Sequence, residues 1–179
     1  MPLVVHFINQ PSTFSQKDFA YSISTNKLSI AGPEEIIDTM SQIDIRYVDL
    51  KTVKPGDIIT LNVELSTGLI NVENITTVDV TIQTKKIIEK TFNVTNFNVV
   101  GLSEDINVNV ITKRLNNVRL VGDKDLINNI TSNDIVAEIN LNNTALSTGT
   151  ISHPITITVP GKNGVFWAYG EYEAVIRIN

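Results

Sequence analysis

The sequence contains no cysteine and little histidine. Disulfides, thiol nucleophiles and cysteine-based zinc sites are therefore excluded. His6 and His153 are the two histidines in 179 residues. Metal binding and acid–base catalysis need several such groups converging on one point. We therefore expect both histidines to be structural, and we expect no catalytic residue, metal ion or cofactor.

Charge is also sparse, because charged residues make up 18% of the chain. Residues 1–84 contain 5 Lys and Arg against 10 Asp and Glu, which gives −5, whereas residues 85–179 contain 9 of each. Binding to a phosphate backbone requires clustered Lys and Arg. The acidic first half therefore argues against a nucleic-acid partner.

Long apolar runs are missing as well. A membrane-spanning helix needs about 18 or more consecutive apolar residues, and no segment approaches that length. The first residues, MPLVVHFINQP, lack the basic start and long apolar core of a signal peptide. We expect no membrane insertion by this segment, which is then either cytosolic or the excised soluble part of an exported protein.

The motifs of a nucleophile elbow or a phosphate-binding loop do not occur. The chain has no G-x-S-x-G elbow, no P-loop and no G-x-G-x-x-G. An enzyme is therefore the class that we expect least, and no small-molecule substrate is evident.

Alternating apolar and polar residues fill much of the chain and indicate half-buried β-strands. Ile, Val and Thr, whose branched side chains favour strands, are abundant. We predict a mainly-β fold, sandwich-like or barrel-like. The clearest strand segments are 57–65, 77–83, 91–100, 106–111, 154–160 and 174–179.

Residues 28–50 and 118–141 read as copies of one pattern. An apolar strand leads into Gly32 or Gly122, a short helical pattern follows, and a strand ends at Asp49 or Asn140. The spacing from glycine to Asp or Asn is 17 residues in one copy and 18 in the other. Repeats of this kind define the architecture of a chain. We predict two tandem homologous domains, residues 1–84 and 85–179, joined closely and stacked end to end.

The repeated residues have structural interpretations. Pro33 suits the first position of a helix, and Asp123 suits an N-cap. Gly32 and Gly122 fit a strand-to-helix turn. A side-chain hydrogen bond to a local backbone turn is the expected role of Asp49 and Asn140.

The aromatic segment 166–172 belongs to the second copy only. It contains the single Trp and two of the four Tyr. Aromatic side chains are enriched at binding hot spots, although they also fill cores. The candidate interaction surface is therefore Phe166, Trp167, Tyr169 and Tyr172, with Trp167 and Tyr169 on one face of a strand and Phe166 and Tyr172 on the other.

The repeat resembles the YbbR-like domain family. The first copy matches the family pattern at 30–33, 47–50 and 55–56, and the second at 120–123, 139–141 and Gly149. The second copy departs from that pattern, with Asp123 in place of the proline and Asn140 in place of the aspartate.

The resemblance implies a bacterial, extracytoplasmic, non-enzymatic interaction module, tethered to the membrane in a longer protein. It also implies a protein partner, a membrane diadenylate cyclase that makes cyclic di-AMP. One alternative is a cell-surface adhesion or carbohydrate-binding module that uses Trp167 and Tyr169. Another is an RNA-binding role, because a ribosomal protein carries a related-looking β-domain, but the acidic first half argues against it.

Overall fold

The structure is a computed structural model that describes residues 1–11, 19–102, 106–142, 144 and 147–179. Strands dominate this part of the chain and its two α-helices are short, so the predicted mainly-β fold is confirmed. None of the helices described is long and apolar enough to cross a membrane.

The strands of the first half are two to seven residues long. They are β1 (Leu3–Ile8), β2 (Tyr21–Ile23), β3 (Ile30–Ala31), β4 (Ile43–Asp49), β5 (Ile58–Asn62), β6 (Ile70–Asn71) and β7 (Thr77–Ile82). Helix α1 (Glu34–Ile37) follows β3, and a 3₁₀ turn (Leu50–Thr52) follows β4.

The second half contains longer strands in a similar order. They are β8 (Ile87–Val94), β9 (Phe97–Val100), β10 (Val108–Val110), β11 (Leu115–Asp123), β12 (Val136–Asn140), β13 (Gly149–Thr158), β14 (Phe166–Tyr169) and β15 (Tyr172–Ile178). Helix α2 (Lys124–Asn128) follows β11, and a 3₁₀ turn (Ser132–Asp134) precedes β12.

Strand pairing recurs between the halves. In the first, β1 pairs parallel with β4, β7 lies antiparallel between β2 and β5, and β3 pairs with β6. In the second, β9 pairs parallel with β12, β15 lies antiparallel between β10 and β13, and β11 pairs with β14. We call residues 1–84 and 85–179 the first and second units, and the boundary at 84/85 remains a prediction.

Two features of the second unit have no full counterpart among the described residues of the first. Strand β8 adds to the free edge of β11, and β13 pairs with β12 as well as with β15. The segment 91–100, predicted as one strand, is divided between β8 and β9. In the break, the Asn96 carbonyl accepts a 2.8 Å bond from Ala137 N, and its side chain donates to the Asn133 carbonyl.

The hydrophobic core crosses the predicted boundary. The first core cluster combines β1, β4 and β7 residues of the first unit with Ile87, Val121, Val165 and Trp167 of the second. A second cluster, which includes Phe166 and Ile127, lies within the second unit. Because apolar burial is the main stabilising term in folding, the shared cluster couples the stability of the two units.

Candidate interaction surfaces

The aromatic strand β14 is buried on both faces. Phe166 and Trp167 are 2% and 0% exposed, and they belong to different core clusters. The Trp167 ring stands edge-on to that of Phe19, with centroids 5.3 Å apart. Its indole Nε1 donates a 2.9 Å hydrogen bond to the Val53 carbonyl oxygen. Strand β14 therefore joins the two units.

The predicted interaction surface is consequently wrong for Phe166 and Trp167. The alternation placed them correctly on opposite faces of the strand. Alternation alone does not show that a second unit covers the outer face, and a strand packed on both sides buries both sets of side chains. Their role is interior packing.

Tyr169 and Tyr172 are half-buried and are held by intramolecular contacts. The Arg119 guanidinium lies 4.1 Å from the centre of the Tyr169 ring, a cation–π distance. The Tyr172 hydroxyl donates to the Tyr169 carbonyl at 2.8 Å and accepts from the Arg119 backbone N–H at 2.9 Å. Contacts within the second unit therefore hold both rings.

Beside these tyrosines, a cleft of about 520 Å³ runs between the units. Asn9, Pro11 and Lys51 line it from the first unit, and β13, β14 and Tyr172 line it from the second. Lys51, Lys162, Glu171 and Glu173 give its walls charges of both signs. Sequence reasoning missed the cleft because its walls come from segments far apart in the chain.

The repeated glycines lie where two backbones approach closely. A Cβ at Gly122 would lie 2.4 Å from the Val165 carbonyl oxygen and 2.6 Å from the Phe166 Cα. A Cβ at Gly32 would lie 2.7 Å from the Leu69 side chain. Neither glycine is among the residues with positive φ. The lack of a side chain, rather than backbone freedom, explains both positions.

The residues that follow these glycines start the two helices differently. Asp123 caps α2, and its carboxylate accepts bonds from Asp125 N at 2.9 Å and Leu126 N at 3.3 Å. The predicted N-cap is thus confirmed. Pro33 occupies the N-cap of α1, one position before the predicted one, and makes no side-chain cap bond.

Asp49 and Asn140 make the predicted bond to a local turn. The Asp49 carboxylate accepts from Lys51 N at 2.9 Å, and the Asn140 side-chain oxygen accepts from Asn142 N at 3.0 Å. Asp49 also accepts a 2.7 Å bond from the Asn9 side chain, which ties the ends of β1 and β4 together. These residues shape the fold.

The carboxyl groups with shifted pKa values all accept hydrogen bonds. Hydrogen bonds from the Ser29 backbone and hydroxyl hold the pKa of Glu73 below its ordinary value of 4.5. Bonds from the Thr131 backbone and hydroxyl lower the pKa of Asp134 in the same way. A lowered pKa weakens a carboxylate as a base at neutral pH. The described residues contain no group of three or more His, Asp or Glu suited to hold a metal ion.

The histidines lie far apart in the chain and have different neighbours. His6 Nε2 lies 2.8 Å from the Asp44 carboxylate, and this bond, followed by one from Gln42, lowers the pKa of Asp44. His153 Nδ1 lies 2.8 Å from the Pro154 carbonyl oxygen.

Tyr47 is the most exposed large apolar side chain described, at 67%. It lies opposite His6 in the register of β1 and β4, with ring centroids 5.8 Å apart. Tyr47, His6 and Asp44 form what we call the Tyr47 patch. In the sequence, Tyr47 stands out only as part of the family pattern at 47–50.

The first unit also exposes apolar residues on β6. Ala31 precedes Gly32 and pairs with Ile70, just as Val121 precedes Gly122 and pairs with Trp167. Ile70 is 65% exposed, whereas its counterpart Trp167 is buried. Equivalent strands therefore meet solvent in one unit and protein in the other.

Comparison with known proteins supports the resemblance for the first unit. The model of the family described as YbbR-like protein matches residues 17–82. No curated protein matches the chain. Among solved structures, it is similar to a YbbR-like protein from Streptococcus pneumoniae TIGR4, at 14% identity and a TM-score of 0.36, covering 99% of this chain and 91% of that one. Residues 17–82 are therefore similar to the YbbR-like family.

Proposed function

We propose that this chain is a non-enzymatic protein-interaction module. In this proposal it stands outside the cytoplasm as part of a membrane-anchored protein and regulates a membrane diadenylate cyclase. The observation that supports the proposal most is the YbbR-like match over residues 17–82.

The Tyr47 patch is the surface that we propose for the partner. Tyrosine is enriched at interface hot spots because it buries a large, rigid ring with little loss of conformational entropy. Tyr47 is 67% exposed and lies beside the His6–Asp44 pair, so a partner could bury the ring and bond to the pair. The net acidity of the first unit favours a basic partner surface.

A reconstitution experiment tests this function. Cyclic di-AMP synthesis by a bacterial membrane diadenylate cyclase in lipid vesicles would be measured with and without the chain. We expect the chain to change the rate and Tyr47→Ala to weaken that effect about tenfold or more, as loss of a hot spot does. Ile58→Ala, which alters a side chain of similar exposure on another strand, is the matched control.

Two outcomes separate the parts of the proposal. If the chain binds the cyclase and Tyr47→Ala binds equally well, the choice of surface is wrong. If the chain neither binds the cyclase nor changes its rate, the regulatory function is wrong.

A carbohydrate-binding role remains the alternative, and the cleft between the units is the observation that favours it. Tyr172 and charged side chains line that cleft, whereas Trp167 is buried and cannot stack on a sugar from solution. Calorimetric titration with cell-wall glycans would test the alternative. Tyr172→Phe, which removes the hydroxyl and keeps the ring, should weaken binding if the cleft is the site.

A further inference from the structure

In the part of the chain that the structure describes, one apolar face of the β3–β6 sheet of the first unit is left uncovered. Ala31, Ile70 and Val72 form this surface, which we call the Ile70 face. Ile70 and Val72 are 65% and 56% exposed. Large apolar side chains that stand together on a surface often mark an interaction site.

The equivalent face of the second unit shows what kind of structure covers such a surface. Gly32 and Gly122 are equivalent positions in the two units. Counted from them, Ala31, Ile70 and Val72 of the first unit correspond to Val121, Trp167 and Tyr169 of the second. The side chains of Val121 and Trp167 are fully buried, and that of Tyr169 is half-buried.

The first unit covers that face with one end, formed by residues 50–53 and Phe19, which we call the turn end. Trp167 Nε1 donates to the Val53 carbonyl, and Gly170 N donates to the Lys51 carbonyl at 2.6 Å. Because both bonds reach backbone acceptors, this contact depends on the shape of the turn end more than on its side chains.

Backbone pairing at the edge of this sheet also occurs in both units. In the second unit, β8 leads into β9 and pairs with β11 beside the covered face. In the first unit, Met1 and Leu28 exchange two backbone bonds, of 2.6 and 2.9 Å, and Pro2 bridges Lys27. These contacts are a short counterpart of the β8–β11 pairing, so a strand equivalent to β8 fits beside β3.

We propose that the Ile70 face binds the turn end of another unit of the same fold, in the head-to-tail manner in which the second unit binds the first. The bound unit buries Ile70 as Trp167 is buried. The smaller Ile70 leaves a shallower contact than Trp167 makes, so this interface is the weaker of the two.

An extended chain tests the proposal. In this chain, an added copy of residues 1–94 is fused to the N-terminal side of Leu3 of the original chain. The original first unit is then the inner copy, and the fused one is the added unit. The absence of cysteine permits a single introduced thiol as a probe. We would place Ile70→Cys in the inner copy of the first unit and measure its labelling rate with a maleimide. We expect labelling to slow by about tenfold or more relative to the unextended chain, because the thiol reacts only when the interface opens.

Controls separate docking from other effects. Ile58→Cys, equally exposed at 65%, should label at the same rate in both chains. Adding Ala31→Asp to the inner unit that carries Ile70→Cys should restore fast labelling of its thiol, because the aspartate places a charge in the interface. Equal labelling of the Ile70→Cys variant in both chains, or protection that survives Ala31→Asp, would overturn the proposal.

A second measurement remains informative if the Ile70→Cys substitution itself weakens docking. Gly170 is the counterpart of Glu73, so Lys51 of the added unit should lie beside Glu73 of the inner unit. Lys51→Cys in the added unit and Glu73→Cys in the inner unit should form a disulfide on mild oxidation. If this disulfide does not form in an extended chain that folds cooperatively, the proposal is also contradicted.

Discussion

Ile70 and Trp167 occupy equivalent positions on strands with the same pairing, yet one is 65% exposed and the other is buried. The strands do not differ in topology. They differ in what lies against them, because the turn end of the first unit covers only the second. The comparison shows that one framework can present either a solvent surface or an interface.

The largest expected change in the free energy of unfolding comes from a pair of substitutions at Trp167 and Ile70. Trp167→Ala should lower the free energy of unfolding by about 3–5 kcal/mol, because it leaves a cavity in the shared core. Ile70→Ala should change it by no more than about 0.5 kcal/mol, since the side chain is mostly exposed. Urea denaturation followed by circular dichroism measures both. Equal effects would show that the Trp167 contact with the first unit contributes little.

The second pair of substitutions replaces the two repeated glycines, Gly122 and Gly32. Gly122→Ala should destabilise the chain by about 1–3 kcal/mol, because the added Cβ meets backbone atoms of Val165 and Phe166 that cannot move freely. Gly32→Ala should cost less, about 1 kcal/mol or below, because the nearest atom is the end of the Leu69 side chain. Thermal unfolding of the two variants compares them. A larger loss for Gly32→Ala would contradict this explanation.

Helix capping gives a smaller difference between the units. Asp123→Ala removes two hydrogen bonds at the start of α2 and should cost about 1 kcal/mol. Pro33→Ala removes no cap bond and should cost less. Chemical denaturation of both variants measures the difference, and equal losses would mean that the Asp123 cap adds nothing.

The smallest expected effect is a pH dependence in the first unit. Glu73 accepts bonds from the Ser29 backbone and hydroxyl, at 2.9 and 2.8 Å, and its pKa is lowered. A depressed folded-state pKa stabilises the protein above the ordinary value of 4.5, and this contribution is lost as pH falls through the lower folded value. Titration of the Glu73 carboxyl by NMR should show the shift, and Ser29→Ala should reduce it. An unchanged pKa in Ser29→Ala would show that the hydroxyl bond contributes nothing to the shift, since the variant keeps the backbone bond.

Local sequence signals predicted much of the framework. The Asp123 cap and the turn bonds of Asp49 and Asn140 depend on groups two or three residues away, so the chain specifies them locally. The aromatic segment could not be assigned in this way. Its alternation predicted two faces, but the burial of Trp167 depends on Val53 and Phe19, which lie more than a hundred positions earlier. The cleft and the Tyr47 patch likewise depend on contacts between distant strands.

The sequence by itself determined a cysteine-free, mainly-β chain with a repeated strand–glycine–helix–strand pattern and an acidic first half. Those properties follow from composition and from short-range periodicity, which act along the chain. Tertiary structure decided which apolar residues of that pattern are covered. It buried Trp167 and left Ile70 and Tyr47 exposed, because burial is set by the surface that packs against a strand and not by the strand's own alternation.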